Sequence, residues 1–215
     1  MRTEKDSATP RRTPIQRRAR DRVNRILTAA EALLVERGVG DLKMNEVAER
    51  AEVPIGSVYQ YFASREDLLG QLVTRYHQAI EDYNRSLFKE TDSISGFLTG
   101  LRSILDFAWT YLHENTGYRE IWFGAQTFEP LRQLDWEDTL CNASILSDTL
   151  KALLPNIPPA ELEAFCIIIC DSSGSTARMA VQFPERAAQL QEQSWRMITS
   201  RLMEFVSRDA ISIAG

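Results

Sequence analysis

At 215 residues the chain is long enough for one or two domains with a core that needs no disulfide or metal, and 44% hydrophobic with 26% charged residues excludes a wholly disordered protein. Ten glycines and eight prolines are too few for a collagen-like or linker-dominated chain, and the longest apolar candidate, Phe165 to Cys170, stops at Asp171, far short of the ~20 residues of a membrane-spanning helix. The net charge of −5 argues against a polyanion partner until it is divided: residues 1–75 carry 14 Lys and Arg against 11 Asp and Glu, whereas residues 76–215 carry 11 against 19. A basic end on an acidic body implies a polyanion-binding end and a separate acidic module. The polar, Arg-rich start does not read as a secretory signal, and three cysteines without C-x-x-C spacing fit a reducing, cytoplasmic setting.

Residues 1–16, with two prolines and no periodicity, read as a flexible basic arm. From Arg17 a helical period begins: Val23, Ile26, Leu27, Ala30, Leu33 and Leu34 share one face, and Gly38 and Gly40 end it. Short helical patterns follow at Met44–Ala51 and Ile55–Phe62, separated by Glu52-Val53-Pro54. Ser64 is placed to cap a long helix to about Phe88, with Asp67 in its first turn. Further helices are expected near 93–114, 117–128, 130–153, 159–182 and 185–207, with breaks at Gly117, Pro130, Pro155/Pro158/Pro159 and Pro184. Nine helices, no sheet and no internal repeat make an all-α chain.

Two short helices after a longer one, at the basic end, suit a helix-turn-helix, whose second helix enters the major groove. Ala48 is small where the pair must cross, Val47, Val53 and Val58 can form a miniature core, and Ser57, Gln60 and Tyr61 then project outward.

The stretch EVAERAEVPIGSVYQYFASREDLL, Glu46 to Leu69, resembles the TetR (tetracycline-repressor-like) family of transcriptional regulators, matching its pattern at Val47, Ala48, Ala51, Val53, Gly56, Tyr59, Phe62, Ser64, Glu66 and Leu68. Departures are Glu52 for the usual turn glycine, Pro54 for the usual hydroxyl cap, Leu42/Lys43 where a Ser or Thr commonly starts the preceding helix, and Arg65 for lysine. The resemblance implies a helix-turn-helix DNA-binding domain over 17–66 and a helical ligand-sensing and dimerisation domain over 67–215. It implies a homodimer on a palindromic operator in double-stranded DNA, released by a small-molecule inducer, with no cofactor and no catalysis. The DNA-facing set would be Lys43, Ile55, Gly56, Ser57, Tyr59, Gln60, Tyr61 and Arg65. Gln60 can pair bidentately with adenine and Ile55 can touch a thymine methyl. Lys43, Tyr59, Tyr61 and Arg65 are assigned to phosphate, although the Tyr59 ring could equally pack in the small core. Arg11, Arg12, Arg17, Arg18 and Arg20 read as a solvated tail, with entry into a minor groove as the alternative.

In the acidic body, the stripes on the last two long helices, Phe165, Ile169, Ser173 and Ala177 on one and Leu190, Met197, Ile198, Leu202 and Phe205 on the other, are the dimer interface that the resemblance implies, with Ser172-Ser173-Gly174-Ser175 permitting close helix approach. The aromatic-rich middle implies the small-molecule pocket, for which Trp109, Trp122, Phe123, Cys141, Asp106, Gln126 and Asn142 are the candidate lining and anchoring residues. Few basic residues lie there, which favours a hydrophobic or cationic ligand over a polyanion. Two alternatives remain: a helical protein-interaction module, and a thiol-based redox sensor using Cys166 and Cys170, which share a helix face. His77 and His113 stand in no metal-ligand spacing, and no nucleophile elbow or phosphate loop is present.

Overall fold

A computed structural model of the chain describes residues 14–125 and 129–214, and among them every regular element is helical. The order is α1 (Pro14–Arg37), α2 (Met44–Arg50), α3 (Ile55–Tyr61), α4 (Arg65–Phe88), α5 (Ile94–Glu114), α6 (Thr116–Ala125), α7 (Glu129–Leu153), α8 (Pro159–Gln182), a single 3-10 turn at Pro184–Arg186, and α9 (Ala187–Ala214). Two compact units divide the chain, residues 1–68 and 69–215.

In the first unit the 3.6-residue period of α1 turns Ile26, Leu27, Ala30, Leu33 and Leu34 inward, where Val47 and Ala48 of α2 and Val58 of α3 are also buried, with Phe62. Gly38, at φ 78, ends α1 by donating to the Leu34 carbonyl at 2.8 Å. Two ion pairs tie α1 to α2, Arg37 with Glu46 and a bidentate Arg50–Glu36 contact at 2.6 and 2.9 Å. Both are solvent-exposed and add little each. The α2–α3 turn closes as a paired cap: the Val53 N–H reaches the Ala48 carbonyl at 3.0 Å and the Glu52 N–H reaches Glu49 at 3.1 Å. That geometry needs a left-handed residue, and Glu52 supplies it at φ 55 without being glycine.

Ser64 accepts from the Asp67 N–H at 3.2 Å while the Asp67 carboxylate accepts from the Ala63 N–H at 2.8 Å, a reciprocal box at the start of α4. In the second unit Phe97 and Leu101 of α5, Leu146 and Leu150 of α7, Leu162, Phe165, Cys166 and Ile169 of α8 and Ile198, Leu202 and Phe205 of α9 form one core. Gly100 admits Phe88 there, since a Cβ at Gly100 would lie 2.9 Å from the ring.

Three boundaries depart from the periodicity. Asn115, not Gly117, separates α5 from α6, its N–H and side chain both bonding the Tyr111 carbonyl at 2.9 Å. The first helix begins at Pro14, three residues before the period that starts at Arg17, with proline in its first turn, where its missing N–H costs nothing. The last helix runs to Ala214 and not to 207, because Asp209 is buried and its carboxylate accepts from the Asn156 N–H at 2.8 Å, pinning that stretch to the α7–α8 loop. Bidentate Arg208–Glu161 contacts at 2.7 and 3.1 Å join α8 and α9 beside it.

Candidate nucleic-acid interface and ligand cavity

α3 is seven residues long and buries only Val58, so its remaining surface faces out. Ile55 is 43% exposed and Tyr59 53%, and Gly56 and Gln60 are exposed, with Ser57 and Tyr61 half-buried. The Tyr59 ring therefore does not pack in the small core. Pro54 holds the N-cap position with φ −57 and no side-chain cap, its carbonyl accepting from Ser57 at 2.8 Å, so proline's fixed backbone replaces the missing hydroxyl. Lys43 is exposed at the start of α2 beside Glu46, 3.6 Å away.

Arg65 is differently engaged. Its Nη2 donates to the Val39 carbonyl at 2.7 Å and the side chain is half-buried, so part of its guanidinium is occupied in holding the chain after α1. Arg17, Arg18 and Arg20 lie within α1 and are exposed, whereas Arg11 and Arg12 fall outside the described residues.

The second unit holds a partly open cavity of about 170 Å³ lined by α4, α5, α6, α7, α8 and α9. Of the residues expected there, Trp109, Trp122, Asp106 and Asn142 line it. Phe123 stacks against Trp122 at 6.3 Å without lining it, and Cys141, also off the wall, accepts from Arg85 at 3.8 Å. Gln126 lies outside the described residues. Trp122 is fixed by its indole N–H donating to Asp135 at 2.9 Å and by the Arg178 guanidinium 4.8 Å from its ring. Of the other aromatics, Tyr118 lines the wall and Phe107 stacks on Tyr83 of α4 at 4.2 Å.

Several dimer-stripe residues have other roles. Phe165, Ile169, Ile198, Leu202 and Phe205 are buried in the chain's own core, because α8 and α9 pack first against each other and α7. Ile169, Ser173 and Ala177 line the cavity. At Gly174 the small stretch admits Trp122, since a Cβ there would sit 3.1 Å from the indole. Leu190 is half-buried and Met197 is 73% exposed. On α8 and α9, Ile168, 65% exposed, and Met197 line a shallow groove beside Phe165 and Phe205.

Sequence reasoning missed the polar seam between α4 and α7. His77 Nδ1 lies 3.7 Å from Asp138, and Asn84 Nδ2 donates to Asn142 Oδ1 at 2.7 Å. Burial pushes His77 down to about 4 and Asp138 up to about 7, so the imidazole is neutral where the carboxyl is titrating. A signal existed on α7, where Asp135, Asp138 and Asn142 recur every three to four residues; none marked His77 or Asn84. Burial also raises Cys166 above the ordinary thiol range and pushes Cys170 up to about 12, which leaves both as thiols and removes support for the redox reading. Among the described residues no helix is long and apolar enough to cross a membrane.

Two family models match the chain: the tetR family of bacterial regulatory proteins over residues 26–72, and the tetracyclin repressor-like C-terminal domain over 100–206. Helix-turn-helix at one end and helical cavity at the other, the chain belongs to the TetR family of bacterial transcriptional regulators. It is 28% identical over 95 residues, 44% of this chain and 49% of the other, to an uncharacterized HTH-type transcriptional regulator of Haemophilus influenzae. It spans half or less of the length of the curated relatives it matches. Its fold is similar to a TetR-family regulator from Streptomyces coelicolor, with TM-score 0.66, 22% identity, and 88% of this chain and 98% of that one covered. It is also similar to FadR of Bacillus subtilis in complex with stearoyl-CoA, with TM-score 0.66, 17% identity, and coverages of 81% and 96%.

Proposed function

We propose that this chain binds a palindromic operator as a homodimer through α3, acting in the cytoplasm as a repressor that a small molecule releases by occupying the cavity. The observation that carries the reading is the outward face of α3, on which Ile55, Tyr59 and Gln60 are exposed around a single buried anchor, Val58. A helix so short is held by its neighbours, which leaves the exposed Ile55 and Tyr59 side chains available to a partner.

Gln60 reads a base edge, and Lys43, Tyr59 and Tyr61 contact phosphate. Arg65 divides between the Val39 carbonyl and the backbone of the duplex. Dimerisation uses the shallow groove of α8 and α9 around Ile168 and Met197. Coupling is a population shift: an effector that prefers the form with low operator affinity withdraws the protein from DNA by its differential affinity. One helix, α4, carries the Ser64 box at its start and the cavity residues Ile80 and Asn84 two-thirds of the way along.

Selection of bound duplexes from a random pool tests the reading. A palindromic consensus is the expected result; indifference to every duplex in dilute buffer would overturn it.

A further inference from the structure

Resting on the reading of the cavity as an effector site, we propose that the effector is a hydrophobic, ring-bearing molecule with one protonated amine, its rings along Trp109 and Trp122 and its N–H donors directed at Asp138 and Asn84.

One stretch of the wall, on α4 and α7, presents acceptors. Asn142 Nδ2 donates to the Asp138 backbone carbonyl at 3.0 Å, and Asn84 Nδ2 donates to Asn142 Oδ1 at 2.7 Å. This chain of amides ends on Asn84 Oδ1, which is buried without a hydrogen-bond partner although the residue lines the cavity and is only 4% exposed. A buried acceptor without a partner carries an uncompensated desolvation cost, so the cavity gains from a molecule that brings a donor. Asp138 lies four residues before Asn142, one helical turn away on the same wall.

Charge points the same way. The basic group within ion-pair distance of Asp138 is His77, which burial keeps neutral, so it supplies no countercharge to an ionised Asp138, which a hydrogen bond from the Asn142 side chain favours. Over the described lining, Asp106, Asp135, Asp138 and Asp171 stand against Arg102 and Arg178. Arg102 is paired with Asp106 at 3.3 Å, and Arg178 is committed to the Trp122 face and to Ser175 at 2.9 Å. A carboxylate or phosphate ligand would meet an acidic wall whose cations are already engaged, whereas an ammonium would meet a carboxylate and aromatic faces.

The groups facing Asp138 are His77 and Glu81 on α4, Tyr118 on α6, Asp135 on α7 and Cys170 on α8. With His77 held near 4 and the Tyr118 and Cys170 values raised, those three keep their charge between pH 6 and pH 8, whereas Asp138 changes its own. A cation that needs the ionised carboxylate therefore binds more tightly as pH rises, by about tenfold across that interval for a group titrating near 7.

The test titrates the full chain with 1-naphthylmethylamine, 1-naphthalenemethanol and 1-naphthylacetate, following tryptophan fluorescence and heat. The amine is expected to bind at least tenfold more tightly than the alcohol, the carboxylate more weakly than either, and the amine affinity to rise from pH 6 to pH 8. Asp138→Asn should bring the amine-to-alcohol ratio near one, and Asn84→Leu should lower it. An alcohol or carboxylate that binds as tightly as the amine, a ratio unmoved by Asp138→Asn, or no saturable amine binding overturns the proposal. Retention of duplex DNA by the same preparation separates the two failures: a charge-blind cavity with DNA still held sinks the ligand class alone, and loss of DNA binding sinks the regulator reading.

Discussion

Arg65 Nη2 donates to the Val39 carbonyl at 2.7 Å, tying the first turn of α4 to the loop that leaves α1. A charged donor on a half-buried carbonyl is worth about 1.5–3 kcal/mol. Arg65→Ala should therefore lower the stability of the DNA-binding unit by roughly that amount, and Arg65→Lys by less. Chemical denaturation of the three proteins measures it. An unchanged midpoint for Arg65→Ala would assign the side chain to DNA alone.

Gln60 and Lys43 should separate on DNA. Gln60→Ala relaxes preference at one base pair, about 1–3 kcal/mol on the favoured sequence and little on others. Lys43→Ala weakens all duplexes alike and reduces the slope of log affinity against log salt by about one. Affinities across operator variants and salt read both, and equal losses on every sequence for Gln60→Ala would remove it as a reader.

Glu52 at φ 55 pays a steric cost that glycine escapes. A left-handed L-residue costs about 1–2 kcal/mol, and the freedom glycine adds to the unfolded chain offsets about half. Glu52→Gly should raise stability by about 0.5–1 kcal/mol, seen as a higher denaturation midpoint, and Glu52→Val should lower it.

Asp138 makes stability pH-dependent. Its folded value is raised to about 7 from an ordinary 3.8, so the folded state holds the proton more tightly. The resulting stabilisation is complete below pH 3.8 and is lost as pH rises through 7, at most about 4 kcal/mol. Buried His77, lowered from 6.5 to about 4, acts oppositely: its contribution is present above pH 6.5 and is lost on acidification towards 4. Asp138→Asn should consequently be more stable than the parent at pH 8 and converge with it near pH 4, while keeping the acid-side decline. Thermal midpoints from pH 4 to pH 8 would show a parallel offset instead if Asp138 titrated normally.

Ile168 and Met197 are exposed apolar residues lining one groove on α8 and α9. Ile168→Asp with Met197→Asp should leave the helical content unchanged and turn a dimer into a monomer in sedimentation velocity. Persistence of the dimer would move the interface elsewhere.

Much of the helical layout could be read from period and punctuation, since Ile26, Leu34, Val47 and Val58 fall where a 3.6-residue repeat buries them, and Ser64 with Asp67 spells its own cap. The α9 boundary was not legible, because Asp209 looks like a surface residue until the Asn156 N–H is brought to it. Trp109, Trp122, Asp106 and Asn142 could be found as aromatic and polar interruptions of helical stripes. Phe123 and Cys141 fit the same description and lie off the wall, since helical rotation separates neighbours that composition cannot.

By itself the sequence determined the all-helical class, the helix-turn-helix and the outward turn of Gln60, because these depend on spacing along the chain, whereas Ser57 and Tyr61 are half-buried and Tyr59 is exposed. Only tertiary structure decided which apolar stripe became core and which stayed exposed, that Gly174 makes room for Trp122, and that Asn84, Asn142, Asp138 and His77 form one buried seam. Those outcomes depend on which helix faces which. A periodic pattern states that a face is buried, and the identity of its partner is set by packing between residues as far apart as 77 and 138.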